Sequence, residues 1–112
     1  MTFENSFVTS PICAPANATA LTGQYTFNHG VLNNVYPTGG FQTFTEAGGE
    51  ESTLATWLDD AGYHTGRVGK YLVGYPDGTT YVPPGWDEWY SSYDGYTPYL
   101  GYRMNENGTV VQ

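Results

Sequence analysis

Apolar side chains recur at helical spacing between residues 53 and 61. The spacing i, i+3, i+4 and i+7 places them on one face of an α-helix, and they are Leu54, Trp57, Leu58 and Ala61. Ser52 is a favourable N-cap residue, and Gly62 is favourable just past the last helical turn. The pattern predicts a helix over residues 53–61 with this apolar face buried.

Two further segments carry helix and strand signals. Residues 15–22 begin with Pro15 and are followed by Gly23. Proline is favourable in the first turn of a helix, and glycine is favourable just after the last turn. This predicts a short helix with Cys13 just before its N-terminus. Residues 63–71 follow Gly62 directly and predict a strand, so that helix, glycine and strand together indicate an α/β unit.

The remaining segments predict loops and short strands. Residues 3–8 alternate weakly and indicate a short strand. Residues 25–50 show no period and many turn-forming residues, which predicts a long surface excursion. Near the C-terminus, Asn107-Gly108 separates two strand-like runs, 99–104 and 109–111. Because Asn-Gly favours a two-residue hairpin turn, this segment predicts a β-hairpin.

Charge and length limit the classes of partner. The chain has 112 residues, 3 Lys and Arg against 11 Asp and Glu, and a formal net charge of −8. Such a chain has no basic stripe for phosphates, which excludes nucleic acid and an anionic membrane surface as partners. We expect no membrane span, since no apolar run is long enough. Residues 1–5 show no signal-peptide pattern, and the localisation stays open.

The aromatic content has two interpretations. Aromatic residues make up 17% of the chain, which is not typical of disorder. A cluster in the C-terminal third consists of Trp86, Trp89, Tyr90, Tyr93, Tyr96 and Tyr99. These rings either stack on sugars or pack under long loops.

Few residues are candidates for chemistry. Cys13 is the single cysteine, which excludes an internal disulfide; it is either a small buried apolar residue or an activated thiol at a helix start. Lys70 lies at the end of the predicted strand 63–71, and strand ends are where ligands bind in α/β folds. His29 lies in a predicted loop, and His64 is expected at a strand edge; neither histidine has a neighbour at metal-ligand spacing.

Several blocks of the chain resemble type I sulfatases. Residues 8–15, which read VTSPICAP, are followed by LTGQY at 21–25 and NHGV at 28–31, similar to the family's Cys-x-Pro signature and the Leu-Thr-Gly after it. Residues 53–72 look like its second signature region. VPPGWDEW at 82–89 and the hairpin at 105–108 look like the branch that includes N-acetylglucosamine-6-sulfatases.

The resemblance implies a fold and a chemistry. The fold is α/β and partly alkaline-phosphatase-like, an incomplete parallel sheet with flanking helices and long loops. Residues 1–112 are then part of the N-terminal catalytic domain. Cys13 is the residue that a formylglycine-generating enzyme converts to formylglycine, which binds Ca²⁺ and attacks the sulfate ester of a sugar or an aryl alcohol. Lys70 is catalytic and contacts the sulfate, and we also expect His29 to bind substrate.

The departures from the family pattern support an alternative. The family's serine and arginine after Cys-x-Pro are Ala16 and Asn17 here, and Leu72 stands where a histidine often follows the lysine. The resemblance also places the paired Asp metal ligands before residue 1 and further ligands after Gln112. The alternative is therefore a truncated or decayed, non-catalytic relative, serving as an aromatic-rich carbohydrate-binding or interaction module, and the isolated chain is expected to be inactive.

Overall fold

A computed structural model describes residues 1–93 and 100–112. Four α-helices precede and flank a small sheet within these residues. The helices are α1 (Cys13–Thr22), α2 (Thr26–His29), α3 (Gly40–Glu46) and α4 (Leu54–Asp60), with a 3-10 turn at Gly49–Glu51 between the last two. The strands are β1 (Gly66–Val68), β2 (Glu88–Ser92), β3 (Met104–Glu106) and β4 (Thr109–Val111).

The four strands form one mixed sheet in the order β1-β2-β3-β4. Strands β1 and β2 are parallel, with Gly66 opposite Glu88 and Val68 opposite Tyr90. The pairs β2–β3 and β3–β4 are antiparallel. The long connection between β1 and β2 is a crossover, as a parallel pair requires. The predicted strand over 63–71 is confirmed only at its centre, because β1 covers three residues.

Helix α1 starts earlier than its sequence pattern predicts. Cys13 is the first helical residue, and Ile12, in an extended conformation, is the N-cap. The helix ends at Gly23, whose φ of 68° lies in the left-handed region that glycine adopts without strain. The helix and its glycine end are thus confirmed, and Cys13 lies within the first turn rather than before it.

Helix α4 forms where predicted, but the prediction of its buried face is wrong. Leu54 and Trp57 are 48% and 46% exposed, Leu58 is half-buried and Ala61 is exposed. The buried residue is Ala55, at 1% exposure. The reason is a close approach of backbone, because a Cβ on Gly85 would lie 2.7 Å from the Ala55 carbonyl carbon. The cap is Thr53 rather than Ser52, in a reciprocal capping box with Thr56.

Two other predictions need correction, and one is confirmed. Residues 3–8 form no strand and are exposed. The predicted excursion over 25–50 contains α2, α3 and the 3-10 turn, whose short lengths leave no clear period in the sequence. The hairpin is confirmed: Asn107 and Gly108 have φ of 50° and 84°, the positive pair that a type I′ turn requires.

Aromatic rings pack the core between the helices and the sheet. Trp89 lies edge-on to Tyr71 at 5.1 Å between ring centroids and near Tyr75 at 5.8 Å. Trp89 is fully buried and Tyr93 is 6% exposed, so for these two the packing interpretation of the aromatic cluster is confirmed. Tyr96 and Tyr99 lie outside the described residues. No helix in the described ranges has the length and apolarity needed to cross a bilayer.

One polar side chain organises this core. Asn105 on β3 is 0% exposed and donates to the Tyr75 hydroxyl at 2.8 Å and to the Tyr81 carbonyl at 2.9 Å. Its Oδ1 accepts the Gly108 N–H at 2.7 Å. The Tyr75 hydroxyl also accepts from Trp89 Nε1 at 3.2 Å. Asn105 therefore connects the hairpin to the aromatic core, and its amide is hydrogen-bonded, as buried polar groups generally are.

Candidate functional site

Cys13 opens α1 as a free and exposed thiol. The N-cap residue Ile12 makes no side-chain hydrogen bond, so the first turn relies on other acceptors. The Ala14 N–H donates to Asn34 Oδ1 at 2.8 Å, and Ala16 N–H donates to the Ile12 carbonyl at 2.9 Å. Pro15 has no N–H. The Cys13 N–H is thus the one first-turn amide without an acceptor among the described residues.

Asn34 is a site residue that the sequence analysis missed. It reaches α1 from a loop twenty residues later in the chain and caps the helix that carries Cys13. A local N-cap signal requires Ser, Thr, Asp or Asn immediately before the helix, and Ile12 gives none. The two adjacent asparagines at 33 and 34 indicate only a turn, so no sequence signal could have found this contact.

A side-chain bond joins α1 to the segment after β1. Asn17 follows Cys13 by one helical turn, and residues four apart share a helix face. The Asn17 amide donates to the Tyr71 carbonyl at 3.1 Å. The structure therefore brings the helix of Cys13 against the residue next to Lys70, while the approach of the Cys13 thiol to the Lys70 ammonium stays a prediction.

Lys70 lies in a backbone segment held at three successive residues. The Gly69 N–H donates to the Tyr90 carbonyl on β2 at 2.9 Å. The Lys70 carbonyl accepts from Arg67 Nη2 at 2.5 Å, and the Tyr71 carbonyl accepts from Asn17. The Arg67 guanidinium also lies 5.1 Å from the centre of the Tyr71 ring. Lys70 therefore projects from a fixed backbone.

His29 lies on the other side of α1. It is 6% exposed, with Nε2 at 3.1 Å from Thr19 Oγ1 and Nδ1 accepting the Val31 N–H at 3.1 Å. Burial lowers the pKa of the His29 imidazole, which favours the neutral ring. Both ring nitrogens already have partners, and the contact with Thr19 joins the end of α2 to α1. Contact of His29 with a substrate stays a prediction.

His64 is not a strand residue but precedes β1. Its Nε2 lies 2.9 Å from Glu88 Oε1 and its Nδ1 lies 3.4 Å from Asp87 Oδ2. The hydrogen bond to Glu88 is the main cause of a raised pKa of the His64 imidazole. Strand β1 starts at Gly66. The exposed contacts of His64 therefore connect the residues just before β1 to the start of β2.

A buried carboxylate lies on the far side of Tyr71. Glu50 is 7% exposed and accepts from the Tyr71 hydroxyl at 3.0 Å and from the Tyr81 hydroxyl at 2.6 Å. Burial raises the pKa of the Glu50 carboxyl, and the two tyrosine hydrogen bonds oppose that shift. Glu50 borders a cavity of about 510 Å³ that Phe41 and Tyr81 also line. The sequence gives no sign that Glu50 is buried, because it lies in a run of glycines and acidic residues.

The described residues do not fit the donor set that calcium needs. Calcium takes about 6–8 oxygen ligands. In the two described ranges, no group of three or more His, Cys, Asp or Glu side chains lies together in a way that could hold a metal ion. Calcium therefore remains a prediction from the family resemblance.

Known proteins match nearly the whole chain. The family model described as Sulfatase matches residues 1–109. The chain is 38% identical over 110 residues to the extracellular sulfatase SULF-1 homolog of Drosophila melanogaster, covering 98% of this chain and 9% of that protein. It is 36% identical over 113 residues to the human N-acetylglucosamine-6-sulfatase, covering 96% of this chain and 20% of the relative. The chain thus spans a fifth or less of these relatives' length.

A solved structure shares the fold. It is that of BT4656 in complex with its substrate D-glucosamine-2-N,6-O-disulfate, and it aligns with 96% of this chain and 19% of its own chain at a TM-score of 0.70. The sequence identity is 23%, so this likeness establishes the fold alone. It confirms the expected α/β class and the partial, alkaline-phosphatase-like sulfatase fold.

Proposed function

The chain belongs to the sulfatase family, and on that premise we propose that residues 1–112 form the part of an N-terminal catalytic domain that handles a sulfate ester. In this proposal Cys13 is the position of the nucleophile and Lys70 binds the sulfate group. The single observation that carries it is the Asn17–Tyr71 bond, because that bond brings the helix opened by Cys13 against the segment that presents Lys70.

Cys13 is in a suitable place for the proposed nucleophile. Formylglycine, made from Cys13 by a formylglycine-generating enzyme, supplies as its hydrate an oxygen nucleophile for the sulfur of the ester. The residue it would replace is exposed and opens a ten-residue helix, whose dipole favours an anion at that end. Within the described part of the chain, the Cys13 N–H is the first-turn amide of α1 left to donate, since Asn34 accepts from the Ala14 N–H.

Lys70 therefore supplies most of the positive charge in this proposal. The chain holds only 3 Lys and Arg, and one of the other two, Arg103, pairs with Asp77. An ammonium is a compact point charge on a flexible stem, which suits contact with a sulfate oxygen. The backbone from which it projects is held on both sides, so binding of an anion has to restrict the Lys70 side chain but not its backbone.

The names of similar proteins support a sugar as the rest of the substrate. One relative is an N-acetylglucosamine-6-sulfatase, and the structural neighbour was solved with a glucosamine disulfate. We propose the sulfate ester of a sugar as the substrate class for this chain.

The binding test uses calorimetry with D-glucosamine 6-sulfate and, as the matched ligand, unsulfated D-glucosamine. We expect the 112-residue chain to prefer the sulfated sugar and Lys70→Met to lose that preference. Arg103→Met is the control, since it also removes one positive charge, from an exposed pair. Equal binding by the parent chain and Lys70→Met, or no preference for the sulfated sugar, contradicts the proposal.

A non-catalytic relative is the second candidate, and Asn17 favours it. The resemblance places an arginine at position 17, whereas here a neutral amide is engaged with the Tyr71 carbonyl and brings no charge to the site. Mass spectrometry of the peptide that contains Cys13, after coexpression with a formylglycine-generating enzyme, separates the candidates. Unconverted thiol, the result that we expect for the parent chain, supports a relative that binds the ester without hydrolysing it, and aldehyde supports the hydrolase.

A further inference from the structure

Arg67 on β1 is a partly buried cation without an acidic partner among the described residues. None of the ion pairs among the described residues includes it, and its Nε is buried without a hydrogen-bond acceptor in that part of the chain. Burial lowers the pKa of the guanidinium, yet arginine stays protonated in proteins. Within the described residues, this positive charge therefore has no opposite charge beside it and is partly withdrawn from solvent.

The contacts that Arg67 does make converge on one point. Nη2 donates to the Lys70 carbonyl, and the guanidinium carbon lies 5.1 Å from the centre of the Tyr71 ring. The flanking bonds of Gly69 and Tyr71 come from β2 and α1. Arg67 is therefore the group that holds the middle residue of the segment, whose side chain is the proposed sulfate contact.

Stability is a poor explanation for this arginine. A partly buried charge with one unsatisfied buried donor is costly, and apolar side chains of similar volume often replace buried ionic groups without loss of stability. The planar guanidinium, by contrast, can stack on a ring while it donates to a carbonyl, which an ammonium does less well. The arrangement favours a role in geometry over a role in folding.

We infer that Arg67 is a positioning residue for Lys70, fixing the backbone from which the Lys70 ammonium meets the sulfate group of the ester. This inference rests on the proposed function, because it assigns a role to Arg67 only if Lys70 binds the ester. In this role Arg67 acts on the ester through Lys70, by holding the Lys70 carbonyl and the Tyr71 ring.

The test compares stability with ester binding in the 112-residue chain. For Arg67→Met we expect an unchanged or higher thermal midpoint and an affinity for D-glucosamine 6-sulfate that is weaker on the order of tenfold, as misplacement of a contact group produces. Arg67→Lys keeps the positive charge but loses the planar guanidinium, and we expect its affinity for D-glucosamine 6-sulfate to be as weak as that of Arg67→Met. Arg103→Met removes an equal charge from an exposed pair and should bind like the parent.

The outcomes separate this inference from the proposal beneath it. If the parent chain binds the sulfated sugar and Lys70→Met does not, the proposed function stands. Parent-like affinity in Arg67→Met then overturns the positioning role alone, and so does full affinity in Arg67→Lys, since charge would then suffice. Weak binding by Arg67→Met together with a lower thermal midpoint overturns it too, because loss of folding would explain the result. A parent chain that does not bind the sulfated sugar overturns both.

Discussion

Replacing Asn17 with arginine tests what keeps Cys13 a thiol. Asn17 is half-buried and gives one neutral hydrogen bond, of 3.1 Å, to the Tyr71 carbonyl. Losing such a bond costs about 1 kcal/mol of the free energy of unfolding. The family resemblance makes an arginine here part of the pattern that the maturing enzyme reads, so Asn17→Arg should lower stability slightly and raise conversion of Cys13.

The expected gain in free energy of binding to the maturing enzyme is larger than the expected loss of unfolding free energy. An arginine at the centre of a recognition surface contributes about 2 kcal/mol or more of binding free energy, which corresponds to a change of about thirtyfold in affinity. We therefore expect the parent chain to stay largely a thiol and Asn17→Arg to show readily measured aldehyde. The assay is mass spectrometry of the peptide that contains Cys13 after coexpression with a formylglycine-generating enzyme, with thermal unfolding measured in parallel.

The matched control is Asn17→Gln, which keeps an amide donor and adds length without charge. It should convert no better than the parent chain. Complete conversion of the parent chain would refute the reasoning, since Asn17 would then be no obstacle. An equal rise in Asn17→Gln would refute it as well, because length rather than the guanidinium would then be what the maturing enzyme requires.

Two further predictions concern the polar groups of the core. Asn105→Ala removes three hydrogen bonds of a fully buried side chain and should cost about 3 kcal/mol of the free energy of unfolding in a urea titration. The exposed Asn5→Ala is the control and should cost almost nothing, so near-equal midpoints for the two variants would contradict the prediction. Because burial raises the pKa of the Glu50 carboxyl, the folded state binds that proton more tightly, and the contribution to stability is lost as the pH rises through the raised pKa. Glu50→Gln should therefore have a higher thermal midpoint than the parent chain at about pH 7, and the difference in midpoint should narrow towards about pH 4. The exposed Glu51→Gln is the control. A difference in midpoint that widens in acid would contradict the expected direction of the pKa shift.

The sequence determined those features whose cause lies within a few residues. Pro15 lies in the first turn of α1 and Gly23 ends that helix, helical spacing marks α4, and Asn107-Gly108 specifies the hairpin turn; all three elements are present in the structure. The order of the motifs around Cys13 and Lys70 was enough to indicate the family. Each of these signals works through local backbone preference or through residues adjacent in the chain.

Tertiary structure alone decided which surfaces are covered. The spacing of Leu54 and Trp57 shows that they share a face of α4, but burial depends on what packs there. The backbone at Gly85 approaches Ala55 instead, which lies about 100° around the helix from Leu54. A period in the sequence identifies residues on one face, whereas the neighbour that removes water from that face comes from elsewhere in the chain.

The same limit applies to the candidate site. Asn34 caps the helix of Cys13 from twenty residues away, and Asn17 reaches across fifty-four residues to the Tyr71 carbonyl. Arg67 is only three residues from Lys70, yet its burial depends on the helices and sheet around it. Hydrogen bonds and desolvation act between groups that folding brings within a few ångströms, and separation along the sequence carries no information about that distance.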